Sequence, residues 1–226
     1  FIDTIYCMLK YGSGYMDYFE FEFYLLTKEE RKTYLTSSIN NQIIAKYNNK
    51  SDMKIFHDKL LFNERFKQYL KREYLDLSKS SFKDFCKFIS NKSKIVAKVV
   101  DECGGKGVDI YNLKDYKDKE TLFNTLKENK QYLLEDYIEQ NDKMNKLYSG
   151  SINSLRIITF VKDDGSVVIL NTVLRIGNGG VVDNFSSGGM YTFVSDTGKV
   201  LVPAIDEKGH IYKTHPISNT KIEGFT

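Results

Sequence analysis

The segment Ile95–Tyr111, IVAKVVDECGGKGVDIY, places two kinds of chemistry side by side. Lys98 stands inside the apolar run Ile95-Val96-Ala97-Lys98-Val99-Val100, where an ammonium is costly to bury unless it meets an anion. Just downstream, Gly104-Gly105-Lys106-Gly107 offers bare backbone N–H groups that can wrap a phosphate, with a second lysine among them. Strand, lysine, glycine loop and strand together describe a lid that closes over a triphosphate. The same residues also fit a β-hairpin with a glycine-rich turn and a lysine pointing at solvent, because a lone glycine motif is a weak signal.

Further polar residues need an explanation of their own. Glu135 ends the apolar run Tyr132-Leu133-Leu134 and leads into Asp136-Tyr137-Ile138-Glu139, a segment able to pair its backbone with an adenine edge while a carboxylate takes an amine or a ribose hydroxyl. The alternative is a strand that ends in solvated acids. Arg156 lies within Leu155–Lys162 and Arg175 ends Val167–Arg175. Strand alternation puts Arg156 on the face of Ile158 and Phe160, where it needs a carboxylate or a phosphate, and a guanidinium fork suits both. The segment Gly177–Gly189 holds five glycines and two serines around Asp183-Asn184, a polar loop able to approach a ligand closely. It also fits an ordinary long surface loop.

These residues need rigid elements to hold them. Thr27-Lys28-Glu29-Glu30 is a capping box that starts a helix through Ile44, and the cluster Asn48-Asn49-Lys50-Ser51 ends it. Phe56–Leu70 and Ser80–Ile89 read as amphipathic helices whose aromatic stripes (Phe56, Leu60, Phe62, Phe66, Tyr69; Phe82, Phe85, Phe88) are packing surfaces. From Ile95 the period changes. Strands are expected at Ile95–Val100, Gly107–Asn112, Tyr132–Tyr137, Leu155–Lys162, Val167–Arg175 and Met190–Ser195, with a helix near Lys119–Glu128. Asp163-Asp164-Gly165-Ser166 and Asp196-Thr197-Gly198-Lys199 are hairpin turns. The pattern is an aromatic helical front followed by an α+β body.

Composition narrows the function classes. At 226 residues with 41% hydrophobic content the chain has ample material for a core. Thirty-three basic against thirty acidic residues leave a net charge of +3, too balanced for a dedicated nucleic-acid binder. No stretch is long and apolar enough to span a membrane. Cys7, Cys86 and Cys103 are widely spaced, without metal-ligand spacing or a disulfide framework, which points to a reducing cytoplasm. No histidine lies near Cys103 in sequence, so it reads as a bystander rather than a nucleophile. The first residue is not methionine and no signal peptide is evident, so the chain reads as a piece of a longer protein.

Taken jointly, the residues resemble the ATP-grasp superfamily, and within it the sugar-transfer-associated group related to α-L-glutamate ligases. The most specific parts are Asn153-Ser154-Leu155-Arg156-Ile157-Ile158-Thr159 and the run from Leu174-Arg175-Ile176-Gly177 to Asp183-Asn184-Phe185-Ser186-Ser187-Gly188-Gly189. His57-Asp58-Lys59, Ala97-Lys98, Gly104–Gly107 and Leu134–Ile138 are less specific. The resemblance implies an α+β ATP-grasp fold, two subdomains gripping ATP. Residues 1–56 would form a helical N-terminal segment, 57–134 the smaller subdomain with its lid, and 135–226 a larger, incomplete subdomain. It implies that Lys59 reaches the α-phosphate and Lys98 the α- and β-phosphates, while Gly104, Gly105, Lys106 and Gly107 cover the β- and γ-phosphates. Glu135 with Asp136, Tyr137 and Ile138 would hold adenine, and Glu139 the ribose. Arg156, Arg175 and Asn184 would stabilise the transferred phosphoryl group or the acceptor carboxylate.

The sequence departs from the family pattern at Val99, where proline is usual, and after Gly189, where no acidic strand and Glu-x-Asn pattern follows. Phe225 stands where that Asn belongs, Asp206-Glu207 falls in a turn, and His215-Pro216 fits the family pattern without an assigned chemistry. The ligands of the implied Mg²⁺ are therefore expected beyond residue 226. The implied activity is an ADP-forming carboxylate–amine (or carboxylate–hydroxyl) ligase working through an acylphosphate, with a small carboxylate and an amine or hydroxyl acceptor, such as one on a sugar, as substrates in polysaccharide or glycan-precursor synthesis. A kinase of the same fold and a non-catalytic nucleotide- or glycan-binding module are the alternatives. All of these expectations require Lys59, Lys98 and Arg156 to converge on one polyanion.

Overall fold

A computed structural model describes residues 1–102 and 104–226; Cys103, with the bystander role assigned to it, lies outside the described residues. The chain divides into two compact units, Phe1–Phe62 and Asn63–Thr226.

The first unit is helical and closes on Cys7, Tyr11, Tyr18 and Phe23. Arg31 is drawn into this core by the Asp3 carboxylate at 2.8 Å, and its Nε donates to the Phe23 carbonyl at 2.9 Å. Thr27 caps as expected, its N–H donating to Glu30 at 2.8 Å, but the helix it starts runs only over Lys28–Arg31. The Thr33 hydroxyl turns back onto the Glu30 carbonyl, and a separate helix, Ser37–Tyr47, begins where the buried Asp17 accepts from the Ser37 N–H and hydroxyl. That cap comes from twenty residues away in sequence, so no local motif announces it. Phe56–Leu70 is likewise three helices, Met53–His57, Lys59–Arg65 and Lys67–Leu70, rather than one. Asp58 is extended and accepts from the Leu60 and Leu61 N–H groups, ending one helix and capping the next. The interruptions break the aromatic stripe, and Phe56 and Tyr69 are exposed instead of packed.

The second unit carries two antiparallel sheets, as the α+β class requires. The first contains β1 (Tyr74–Asp76), β2 (Lys94–Lys98), β3 (Val108–Asn112) and β4 (Leu133–Asp136) in the order β1-β4-β2-β3. Its β1 was not foreseen; Leu75 and Asp76 are too few and too mixed to carry a period. Ile95, Ala97, Tyr111 and Leu134 face the helices Phe82–Ile89 and Lys119–Glu128, which supply Phe85, Ile89, Leu122, Phe123 and Leu126 to a common core. Alternation then turns Val96 and Lys98 of β2, their partners Ile110 and Val108 of β3, and Glu135 of β4 to the opposite face.

The second sheet runs β5 (Leu155–Val161), β6 (Val167–Ile176), β7 (Met190–Phe193), β8 (Ala204–Asp206) and β9 (Ile211–Tyr212), each paired with the next. Both expected turns are present: Gly165 N–H bonds back to Lys162, and Gly198 N–H to Ser195. Strands β8 and β9 were missed because two or three residues between turn signals leave no periodicity to read. Leu174, Ile176, Met190, Ala204 and Ile222 form the core beneath this sheet. Among the described residues no helix is long and apolar enough to cross a membrane.

Candidate functional site

The cleft-facing side of the first sheet forms the floor of a cavity of about 270 Å³. Lys98, Arg72 and Glu135 meet there, with Val96, Val108 and Ile110 as its apolar lining and Val181, Val182 and Asp183 on the opposite wall. Lys98 does find an anion, and it is Glu135: Nζ lies 2.5 Å from Oε2. The other carboxylate oxygen accepts from Arg72 Nη2 and from Asn63 Nδ2, both at 2.8 Å. Burial pushes the Glu135 carboxyl up, but the Lys98 ammonium together with the Arg72, Lys98 and Asn63 hydrogen bonds outweighs it and leaves the pKa below the ordinary value. Both oxygens therefore accept from protein donors. In this structure its carboxylate clamps two cations at the cavity floor.

Beyond β4 the chain leaves the sheet, and Tyr137 and Ile138 line the cavity. Asp136 points its carboxylate away to Lys92 at 2.6 Å and to the Glu73 N–H at 2.8 Å. Glu139 is exposed and outside the lining. Gly104, Gly105 and Gly107 all have positive φ (71°, 83° and 64°), a backbone that side chains disfavour and that the glycines supply. Gly105 lies against Val182, so close that an added Cβ would stand 3.1 Å from its methyl carbon. Lys106 is exposed on the same turn.

The arginines divide. Arg175 reaches Asp183 Oδ1 and Asn184 Oδ1, each at 3.0 Å, so the loop after β6 folds back over the strand that leads to it. Arg156 shares that sheet face by register but is exposed, with no carboxylate paired to it among the described residues and no place in the cavity lining. The expectation was a carboxylate or a phosphate, and the phosphate remains open for this guanidinium. Lys59 opens the helix Lys59–Arg65 and belongs to the first unit. Within the second unit, Arg72 is the second cation beside Lys98, and Arg156 lies outside the cavity lining.

Several residues were passed over by reading the sequence. Arg72 and Asn63 carry no motif. Asn153, quoted within a motif but given no role, is buried; its Nδ2 donates to the Tyr148 carbonyl at 2.8 Å and to Gln140 Oε1 at 3.0 Å, while its Oδ1 accepts the Gly177 N–H at 3.0 Å. Ser154 holds Asp183 through both its N–H and its hydroxyl. His215, left without a chemistry, is wholly buried, stacks on Tyr148 at 5.2 Å, contacts the Gly177 carbonyl through Nε2 at 2.9 Å and accepts from the Ile217 and Ser218 N–H groups through Nδ1. Two N–H donors on Nδ1 leave the proton on Nε2, so His215 is a neutral strut under the loop Gly177–Gly189.

The cavity combines two cations held on one buried carboxylate with apolar strand residues, and its lining residue Val182 lies against Gly105 of the glycine turn. A sequence model of the family described as sugar-transfer associated ATP-grasp matches residues 38–226. The chain belongs to that family. No curated protein and no solved structure matches it significantly. ATP-grasp membership carries ATP-dependent, ligase-type chemistry associated with sugar transfer. The cavity suits a polar, anionic ligand on its own evidence: Arg72 Nε and Ser151 Oγ, both of lining residues, are buried without a hydrogen-bond partner among the described residues. Mg²⁺ is different. Among the described residues no group of three His, Cys, Asp or Glu side chains is arranged to hold a metal.

Proposed function

We propose that this ATP-grasp protein is an ADP-forming ligase that joins a carboxylate to an amine or hydroxyl through an acylphosphate, in the synthesis of a polysaccharide or glycan precursor. The observation that carries the reading is the meeting of Lys98 and Arg72 on Glu135 at the floor of a cavity whose lining residue Val182 lies against Gly105 of the turn Gly104–Gly107. In this reading residues 57–134 form the smaller grasp subdomain and 135–226 the larger. Lys98, with Lys59 reaching in from its helix, neutralises the α- and β-phosphates, and the glycine turn covers the β- and γ-phosphates. The Asp136–Ile138 backbone holds adenine, and Glu139 reaches the ribose.

The substrate carboxylate attacks the γ-phosphorus, the bond to the β-phosphate oxygen breaks, and ADP leaves. The acceptor nitrogen or oxygen then attacks the acyl carbon, loses its proton, and expels inorganic phosphate. Phosphoryl transfer of this kind needs positioning and charge neutralisation rather than a protein nucleophile, which suits a site of lysines and arginines. Arg156 and Arg175, on one sheet face, with Asn184 beside Arg175, stabilise the transferred group or the acceptor carboxylate.

The test is ADP release from ATP with amino acids and amino sugars supplied singly and in pairs. A ligase releases ADP only when acid and acceptor are both present. Release with one substrate alone identifies a kinase, and nucleotide binding without release identifies a binding module. Arg156→Ala is expected to lower kcat roughly 100-fold, the usual cost of losing one charge-stabilising donor, with nucleotide affinity within about threefold of the parent. Turnover that survives this substitution removes Arg156 from the reacting centre.

A further inference from the structure

We propose that Asn184 is a positioning residue whose side-chain amide ties the glycine turn to Arg175, so that closing the turn fixes the guanidinium. The proposal rests on the reading of Gly104–Gly107 as the cover of the nucleotide. The Gly104 carbonyl accepts two hydrogen bonds from the loop after β6, from Asn184 Nδ2 at 3.0 Å and from Ser187 Oγ at 2.7 Å. The other end of the same amide, Asn184 Oδ1, accepts from Arg175 Nη2 at 3.0 Å. The orientation of the amide is dictated by its partners: a guanidinium can only donate and a carbonyl can only accept, so oxygen faces Arg175 and nitrogen faces Gly104.

The two partners of Arg175 Nη2 differ. Asp183, which meets Nη2 at 3.0 Å, is itself held by Ser154 at the start of β5 and does not depend on the turn. Asn184 does, because its nitrogen loses the Gly104 carbonyl when the turn lifts. Ser186 Oγ at 2.8 Å and Ser187 Oγ at 3.4 Å are the acceptors left to it. Arg175 Nε is buried with no partner among the described residues, so Asp183 and Asn184, both on Nη2, are the groups that orient this guanidinium. Gly105 packed under Val182 adds an apolar contact to the same closure. A turn closed by nucleotide therefore also sets the cation expected to act on the transferred group.

Asn184→Asp separates the two ends of the tether. It keeps an oxygen for Arg175 and replaces the donor toward Gly104 with an oxygen that repels the carbonyl. Trypsin cleavage after Lys106, exposed on the turn, reports opening and is read by mass spectrometry on nucleotide-free protein. The expected result is cleavage about tenfold faster in Asn184→Asp and about threefold faster in Ser187→Ala, near the factors that one hydrogen bond is worth. In ADP release, Asn184→Asp is expected to lower kcat about tenfold with the KM for ATP within twofold. Cleavage at the wild-type rate in Asn184→Asp overturns the tether; if that variant does not fold, Ser187→Ala is held to the same criterion. Faster cleavage with an unchanged kcat overturns the coupling to Arg175. Wild-type cleavage that ATP fails to slow counts against the turn as a nucleotide cover, while the comparison of nucleotide-free proteins still decides the tether.

Discussion

Replacing Lys98 with methionine is expected to weaken nucleotide binding about 50-fold and to cost about 2 kcal/mol of stability, because the ammonium serves ligand and fold together. Glu135 is 2% exposed, and without Lys98 its carboxylate keeps only Arg72 and Asn63 as partners. Lys98→Ala would likewise disturb the fold as well as the ligand site, since what Lys98 neutralises is a buried charge.

The pH dependence follows from the direction of the Glu135 shift. In the wild type the carboxyl pKa is lowered from 4.5, so its stabilising contribution is present above the unfolded value and is lost as pH falls through the folded one. In Lys98→Met the largest opposing cause, burial, is released from the Lys98 charge and moves the folded pKa upward. The stability gap between wild type and variant is then widest near neutrality and narrows toward pH 5. Adding Glu135→Gln removes the stranded charge. The double variant is expected to recover at least half of the lost stability and none of the nucleotide affinity. Urea denaturation at pH 7 and pH 5, with calorimetric titration of ATP, checks each part. Equal stability of Lys98→Met and wild type at both pH values would show that the ion pair holds nothing.

Asn153→Ala is expected to cost about 2 kcal/mol, since it leaves the buried Gly177 N–H without its partner, while the Tyr148 carbonyl keeps only Gln140 Nε2. Hydrogen exchange should rise at Gly177–Gly180 before the rest of the sheet. The loop depends on close packing as well: a Cβ at Gly177 would lie 2.1 Å from Ser151 Oγ and 2.7 Å from the Tyr148 ring. Asn153→Asp is expected to be worse than alanine at pH 7. Its second carboxylate oxygen would face the Tyr148 carbonyl and Gln140 Oε1, where the amide nitrogen now donates. Such a carboxyl has a raised folded pKa, so the native state binds more protons than the unfolded chain and stability rises as pH falls. Thermal denaturation between pH 7 and 4.5 reads this directly. A variant whose stability declines in acid in parallel with wild type would remove Asn153 from the role of organiser.

Local chemistry in the chain was enough to determine a good deal. The strands around Lys98, Leu134, Ile157 and Leu174, the hairpin at Asp163–Ser166 and the capping of Lys28–Arg31 all follow from periods, turn residues and caps within a few positions of one another. The family resemblance was legible in the motifs around Arg156 and Arg175, and the match over residues 38–226 bears it out. Tertiary structure decided what no neighbour in sequence encodes. Pairing Val96 with Glu135 set the carboxylate beside Lys98, and Arg72 and Asn63 then reached it from 63 and 72 positions away. The break before Ser37 came from Asp17, and the grip on Gly104 from residues 80 and 83 positions downstream. A buried charge or carbonyl is satisfied by whichever donor the fold brings within about 3 Å, and strand register, rather than spacing along the chain, selects that donor.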